Sequence, residues 1–382
     1  MPTAKSAQSR PKLQFVQILR GLAAITVVIY HAGINHIRYL NATPLFNDFD
    51  RYGWLGVEFF FVLSGFIITY SHFKDLQERK NINLFLRKRF VRIYPIYWVI
   101  ALVMFFYYLL LKKDNSGTTV KLENTRDYVF ILKCFLLFPL KTGRPFINVA
   151  WTLSYEIWFY LVFAVCIRYG LQKARWVLLV WALLILFKYY SGMLNYPLFN
   201  FILNPLILYF HMGCIVAYQL RKYGRTLTWG WYSMMTLLTV VLFFLYTRLS
   251  GTPLTEERDN MNYVYLLMVL FSILLWGAAS LDKSPKAERF APGFLLLMGD
   301  ASYSIYLTHA PVMMVLYKDL NRFVRKGDSL IAIVTQNLFL VFTVAVCVGA
   351  GILVHLFIEK PMIAVLKKRY LSPSTLKYVP EM

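Results

Sequence analysis

The chain has 382 residues, 58% hydrophobic and only 16% charged, with a net charge of +22. A soluble domain carries about 25% charged residues, and the deficit here runs the whole length, which excludes a sizeable soluble domain and predicts one all-α integral membrane domain. The positive excess reads as loops facing anionic lipid or an anionic cytoplasmic ligand rather than as a nucleic-acid surface.

Residues 1–12 form a basic tail carrying Lys5, Arg10 and Lys12. The apolar run that follows is long, contains Arg20 and lacks a small-x-small cleavage site, so it reads as a retained first span and not as a cleaved signal. Eleven apolar segments follow one another at about 14–34, 54–72, 93–111, 127–140, 151–169, 176–190, 198–220, 229–248, 261–281, 293–316 and 330–357. The fourth is short for a crossing and contains Lys133. If it does not cross and the N-terminus is cytoplasmic, 25 of the 41 Lys and Arg fall inside; if it crosses, 20 do. The positive-inside bias therefore predicts ten transmembrane helices, one short re-entrant or interfacial segment at 127–140, and both termini in the cytoplasm. One loop disagrees: Lys318, Arg322, Arg325 and Lys326 fall outside. The expected layout is a cytoplasmic tail (1–12), a transmembrane domain (13–368) and a second cytoplasmic tail (369–382).

Ionisable residues within such spans are costly and point to function. In RGLAAITVVIYH (residues 20–31), Arg20 lies toward the cytoplasmic end and His31 toward the outer end. Eleven residues of helix separate them by about 16 Å and return them to nearly one face. In GVEFFFVLSGF (56–66), Glu58 is expected at the depth of His31, where a carboxylate could orient an imidazole. LRKRFVRIYPIYW (86–98) brings Arg87, Lys88, Arg89 and Arg92 to the cytoplasmic end of the third span, and arginine forks suit phosphate oxygens. WTLSYEIWFY (151–160) sets Glu156 among Trp151, Tyr155 and Trp158 near the outer face. His211 falls near the middle of the sixth span. In GDASYSIYLTH (299–309), Ser302 and His309 are seven apart and share a helical face. In IEKP (358–361), Glu359 is expected to pair with a nearby basic residue. Cys134, Cys166, Cys214 and Cys347 are scattered in apolar contexts without a CxxC pair, so neither a metal site nor a disulfide framework is expected. No GxSxG elbow, GxxxxGK loop or HExxH motif occurs.

Taken in order, these motifs resemble the acyltransferase-3 family of membrane O-acyltransferases, over residues 13 to about 368, and most resemble its stand-alone members that acetylate exopolysaccharides. Glu58 stands where many relatives have aspartate. The resemblance implies acyl-CoA, with acetyl-CoA foremost, as a donor substrate on the cytoplasmic side, no bound cofactor, and a carbohydrate acceptor, extracytoplasmic or lipid-linked, in a bacterial inner membrane. On that reading Arg20, Arg87, Arg89 and Arg92 hold the phosphates of acyl-CoA. His31 is the general base or a transient acyl carrier, with Glu156 and Glu58 beside it. Trp151, Ser302, His309 and His211 are candidates for acceptor binding or support. A transporter or flippase for lipid-linked glycans shares the span count and the buried charges. It would more often show repeated halves and broken helices.

Overall fold

The structure is a computed structural model that describes residues 13–41, 52–78, 82–111, 125–140, 145–224, 229–249, 260–283, 292–324, 327 and 329–371. The basic tail 1–12 and the end of the second tail lie outside these residues, as do Arg325 and Lys326. Regular secondary structure among the described residues is helical throughout.

In chain order the long helices are α1 (Gln14–Leu40), α2 (Leu55–Ser71), α4 (Ile82–Leu111), α6 (Trp151–Tyr169), α7 (Leu171–Ser191), α9 (Ile207–Tyr223), α10 (Trp229–Leu249), α11 (Met261–Leu281) and α14 (Leu330–Val354). Shorter ones are α3 (Phe73–Glu78), α5 (Thr125–Phe135), α8 (Pro197–Ile202), α12 (Gly293–Asp300), α13 (Ser302–Val315) and α15 (Lys360–Tyr370). Among the described residues, seven helical stretches are long and apolar enough to cross a membrane: 14–40, 82–110, 148–169, 171–191, 197–223, 261–281 and 330–370. α2 and residues 230–246 of α10 are also apolar, over shorter stretches. Each of the ten expected spans has a helical counterpart, with three differences of form. The third begins at Ile82, so the basic run is helical and continuous with the span through Pro95. The sixth breaks between α8 and α9 around Pro205, and the ninth breaks at Ala301 between α12 and α13.

The bundle is organised on α2. Without a hydrophobic drive between helices in lipid, close backbone approach at small residues does the packing. Gly65 of α2 and Gly213 of α9 face each other's backbones: a Cβ on Gly65 would sit 2.0 Å from the Phe210 carbonyl oxygen, and one on Gly213 2.0 Å from that of Val62. The outer helices turn apolar side chains outward, as Trp176, Leu183 and Phe187 of α7 do.

Contacts at one end of the bundle fix relative direction. The Asp282 carboxylate, just past α11, accepts from the Phe15 and Val16 amides at 2.9 and 3.3 Å and so caps the start of α1. Arg221 near the end of α9 donates to the Tyr70 carbonyl near the end of α2. Arg92 in the first half of α4 pairs with Glu359, just after α14. The start of α1 thus shares a face with the ends of α2, α9, α11 and α14.

The doubtful segment forms α5, 11 residues long. At 1.5 Å per residue it covers about 16 Å, half of a hydrocarbon core of about 30 Å. Its last carbonyls do not end in water or lipid. Tyr97 donates to Cys134 O at 2.6 Å, Trp98 to Phe135 O at 2.9 Å and Tyr94 to Leu136 O at 3.1 Å, all from the middle of α4. Leu137 closes the helix in the left-handed region, at φ 55°.

Candidate active site

A cavity of about 590 Å³ opens between α1, α2, α4, α6, α13 and α15. On α2 its lining runs from Val57 to Ile68, about 16 Å of helix. At the end shared with the start of α1 the wall carries Arg20, Arg89, Arg92, Lys360 and Lys367, and also Asp300; Glu156 lies on α6 and Tyr306 on α13.

The three arginines are held differently. Arg20 donates to Gln17 Oε1 at 2.9 Å and to Ser302 Oγ at 3.1 Å, and Gln17 in turn donates to Asp300 at 2.6 Å. Arg89 donates to His72 Nε2 at 2.8 Å. Its guanidinium lies 5.5 and 5.7 Å from the Phe85 and Tyr160 ring centroids. Of the three, Arg92 is the one ion-paired among the described residues, at 3.1 Å to Glu359 Oε1. That carboxylate also accepts from Ser304 Oγ at 2.8 Å and sits 2.7 Å from His355 Nδ1. His355 and Glu359 lie within a π-helical turn (His355–Glu359) joining α14 to α15, a distortion frequent at functional sites. Glu359 therefore pairs with a basic residue, as its sequence context suggests. Among the described residues Arg20 and Arg89 meet only neutral acceptors, so their charge remains available to an anion.

Glu156 faces the cavity, and its Oε1 accepts from Ser64 Oγ at 3.0 Å and from the Tyr160 hydroxyl. Neither partner is singled out by the sequence. Tyr160 is one turn beyond Glu156 on α6, and that i, i+4 spacing is the signal that could have found it.

His31 is not part of the cavity wall. Its Nδ1 is 3.0 Å from the Val27 carbonyl oxygen and 3.4 Å from Nε2 of His309. The Nδ1 of His309 is 3.3 Å from the Ile305 carbonyl oxygen. A carbonyl only accepts, so both imidazoles carry their proton on Nδ1 when neutral. The proton of His31 is then shared between Val27 and His309, and its lone pair is on Nε2. Tyr306 borders both places: it lines the cavity, and its ring centroid is 5.8 Å from that of His309. Its hydroxyl is fixed by Val149 O at 3.0 Å and Thr152 Oγ1 at 2.8 Å. Since Arg20 meets Ser302 while His31 meets His309, α1 and α13 run parallel.

Other expected residues lie elsewhere. Arg87 is exposed on the far side of α4 from the cavity-facing Arg89 and Arg92. Glu58 is 1% exposed within α2 and is not a lining residue. His211 is buried against Trp181, with ring centroids 5.2 Å apart, and is 2.8 Å from the Ile207 carbonyl oxygen. Trp151 lines a second cavity of about 190 Å³ with Lys133, Ser154, Tyr155 and Phe201, on the other side of α6. The four cysteines are buried free thiols.

Over residues 13–355 the chain matches the family described as acyltransferase domain, acyltransferase 3. A candidate acetyltransferase of Acidianus two-tailed virus is 27% identical over 300 residues, 76% of this chain and 80% of that one. The exopolysaccharide production protein ExoZ of Rhizobium meliloti is 29% identical over 283 residues, 70% of this chain and 78% of that one. A candidate O-acetyltransferase of Staphylococcus aureus is 24% identical over 353 residues, covering 82% of this chain but 53% of its own length. No solved structure matches the chain.

Proposed function

The chain belongs to the acyltransferase-3 family, and we propose that it is a multi-pass membrane enzyme that moves an acyl group, acetyl in the first instance, from cytoplasmic acyl-CoA to a sugar hydroxyl of an exported or lipid-linked polysaccharide. One observation carries this reading. A single cavity joins two arginines held by neutral partners at one end to Tyr306, in contact with the His31–His309 pair, at the other. Coenzyme A is anionic at its nucleotide end and neutral along its pantetheine arm, which suits a basic mouth and an apolar channel. Arg20 and Arg89 would bind the phosphates. The thioester would lie near Tyr306, which it must pass to meet His31.

In the direct route, Nε2 of His31 takes the proton of the sugar hydroxyl as its oxygen attacks the thioester carbonyl. The carbon–sulfur bond then breaks, and the thiolate of coenzyme A leaves with a proton returned by the imidazolium. His309 accepts the Nδ1 proton of His31 as a hydrogen bond and keeps Nε2 basic. In the alternative route Nε2 is acylated first and passes the group on. Glu156 would orient the acceptor hydroxyl.

The topology we propose has ten crossings, α5 re-entrant, both termini cytoplasmic, and the arginine end of the cavity on the cytoplasmic side of a bacterial inner membrane. The test is turnover of labelled acetyl-CoA by purified protein in lipid, with hydrolysis or transfer as the readout. Release of coenzyme A above background supports the enzyme. Glycan translocation without any turnover would leave a flippase instead.

A further inference from the structure

Two of the cavity arginines are held by a histidine and a carboxylate, but in opposite order. At Arg92 the carboxylate of Glu359 touches the guanidinium and His355 stands behind it. At Arg89 the histidine touches the guanidinium and the carboxylate stands behind: His72 Nε2 is 2.8 Å from Arg89 Nη2, and His72 Nδ1 is 2.6 Å from Asp75 Oδ2. The order decides what protonation does. Arginine only donates and is always charged, so Nε2 of His72 must accept and be bare. The Nδ1–H then donates to Asp75. A second proton on His72 would set N–H against N–H and charge against charge, and would release Arg89. Protonating His355 leaves the Arg92–Glu359 bond intact.

We propose that His72 is a positioning residue for the donor site: its neutral Nδ1–H form, oriented by Asp75, aims Arg89 into the cavity for the phosphates of acyl-CoA. This rests on the reading of the cavity as the donor site. His72 caps the end of α2, outside the membrane-crossing helix, and is 5% exposed. It also packs edge to face against the Phe85 ring, at 5.0 Å between centroids. The guanidinium of Arg89 also packs beside the Phe85 and Tyr160 rings, and its Nε is buried without a hydrogen-bond partner among the described residues. Arg89 is thus fixed in direction with donors to spare. The charged groups acting on His72 are Asp75 from α3, and Arg89 and Lys88 from α4; α6 contributes the Tyr160 and Phe163 rings beyond Phe85 and Arg89. Burial acts most strongly and lowers its pKa; Asp75 opposes it, and Arg89 and Lys88 add to it. The neutral form is therefore the one present at neutral pH, and the hold on Arg89 is lost as pH falls below the ordinary histidine range.

The experiment measures acetyl-CoA affinity of purified protein in lipid between pH 5 and pH 8, for wild type, His72→Gln and His72→Leu. Wild-type affinity is expected to fall roughly tenfold across that range, the worth of one charge-assisted contact. Glutamine can accept from Arg89 and donate to Asp75 but does not titrate. His72→Gln should therefore bind as wild type does at pH 8 and lose most of the acid weakening. The phosphate of the ligand ionises near pH 6 as well, but equally for every variant. His72→Leu should bind weakly at every pH while Arg92→Lys keeps the wild-type pH profile. Identical pH profiles for wild type and His72→Gln would overturn the proposal, as would full affinity in His72→Leu. Failure of wild type to bind acetyl-CoA at any pH would instead remove the donor reading, and the role of His72 with it.

Discussion

His31 and Arg89 show how differently two residues of similar promise in the sequence are placed. His31 lies outside the cavity wall, about three turns beyond Arg20 on α1, and its orienting partners are a carbonyl and a second histidine. His31→Ala is expected to lower transfer at least about a hundredfold, the lower range for loss of a general base. Donor affinity should stay near wild type, because the arginine end is untouched. His31→Gln keeps a hydrogen bond without basicity and should be as inactive. A folded His31→Ala protein with near-normal transfer would remove the histidine from the chemistry. For Arg89, replacement by alanine should weaken acetyl-CoA binding tenfold or more, since hydrogen bonds to charged groups contribute about 1.5–3 kcal/mol. Arg89→Lys should lose less, keeping the charge but not the fork. Equal affinity in wild type and Arg89→Ala would reduce the residue to a topology signal. Arg20, Arg89, Arg92, Glu156 and Ser302 were legible in the sequence because each interrupts or borders an apolar run at a cost that needs a reason. Arg87 was not separable from Arg89 there. Which side of a uniformly basic turn faces inward is set by where α6 and α15 pack. His72 was invisible for a related reason: beside Lys74 and Asp75 it reads as the ordinary polar boundary that closes the second apolar run.

At the scale of elements, the short fourth segment is the informative case. Hydropathy could say that 127–140 is apolar and short, and lysine and arginine counts could disfavour a crossing. Neither could say how a helix ending at membrane depth satisfies its carbonyls. The answer lies on another helix, where Tyr94, Trp98 and Tyr97 occupy consecutive turns of α4 and donate to residues 134–136. In the sequence those side chains look like interfacial aromatics. Their placement predicts a stability effect. Trp98→Phe keeps an aromatic side chain but leaves Phe135 O without its donor, which should cost about 1–3 kcal/mol. The control is Trp176→Phe on α7, where the ring is 66% exposed on the outer surface of the bundle. Thermal unfolding in detergent should drop for Trp98→Phe and not for Trp176→Phe. Equal transitions in both would mean that α5 does not depend on α4 for its end. The broken ninth span was equally hidden. GDASYSIYLTH has no proline, and its glycine, Gly299, lies two residues before the break, where α1 packs close: a Cβ on Gly21 would lie 2.9 Å from the Gly299 amide.

For the whole molecule, sidedness decides whether the arginines can meet a cytoplasmic donor at all. The charge count favours one arrangement by only five residues, 25 against 20 inside. The contacts supply an independent constraint of parity. Asp282 beyond α11 caps the start of α1, and α13 runs parallel to α1. Had the segment at 127–140 crossed, the end of α11 would lie on the opposite side from the start of α1, and these contacts could not form. Parity leaves the absolute orientation to lysine and arginine, whose excess lies on the face where α1 begins. Single cysteines test it directly, because the four native thiols are buried. Gln172→Cys at the start of α7 and Lys222→Cys at the end of α9 should resist an impermeant maleimide in intact cells and react after permeabilisation. Asn195→Cys, exposed between α7 and α8, should react without permeabilisation. The reverse pattern at all three would turn the molecule over, put Arg20, Arg89 and Arg92 outside, and end the case for cytoplasmic acyl-CoA while leaving the helix contacts intact.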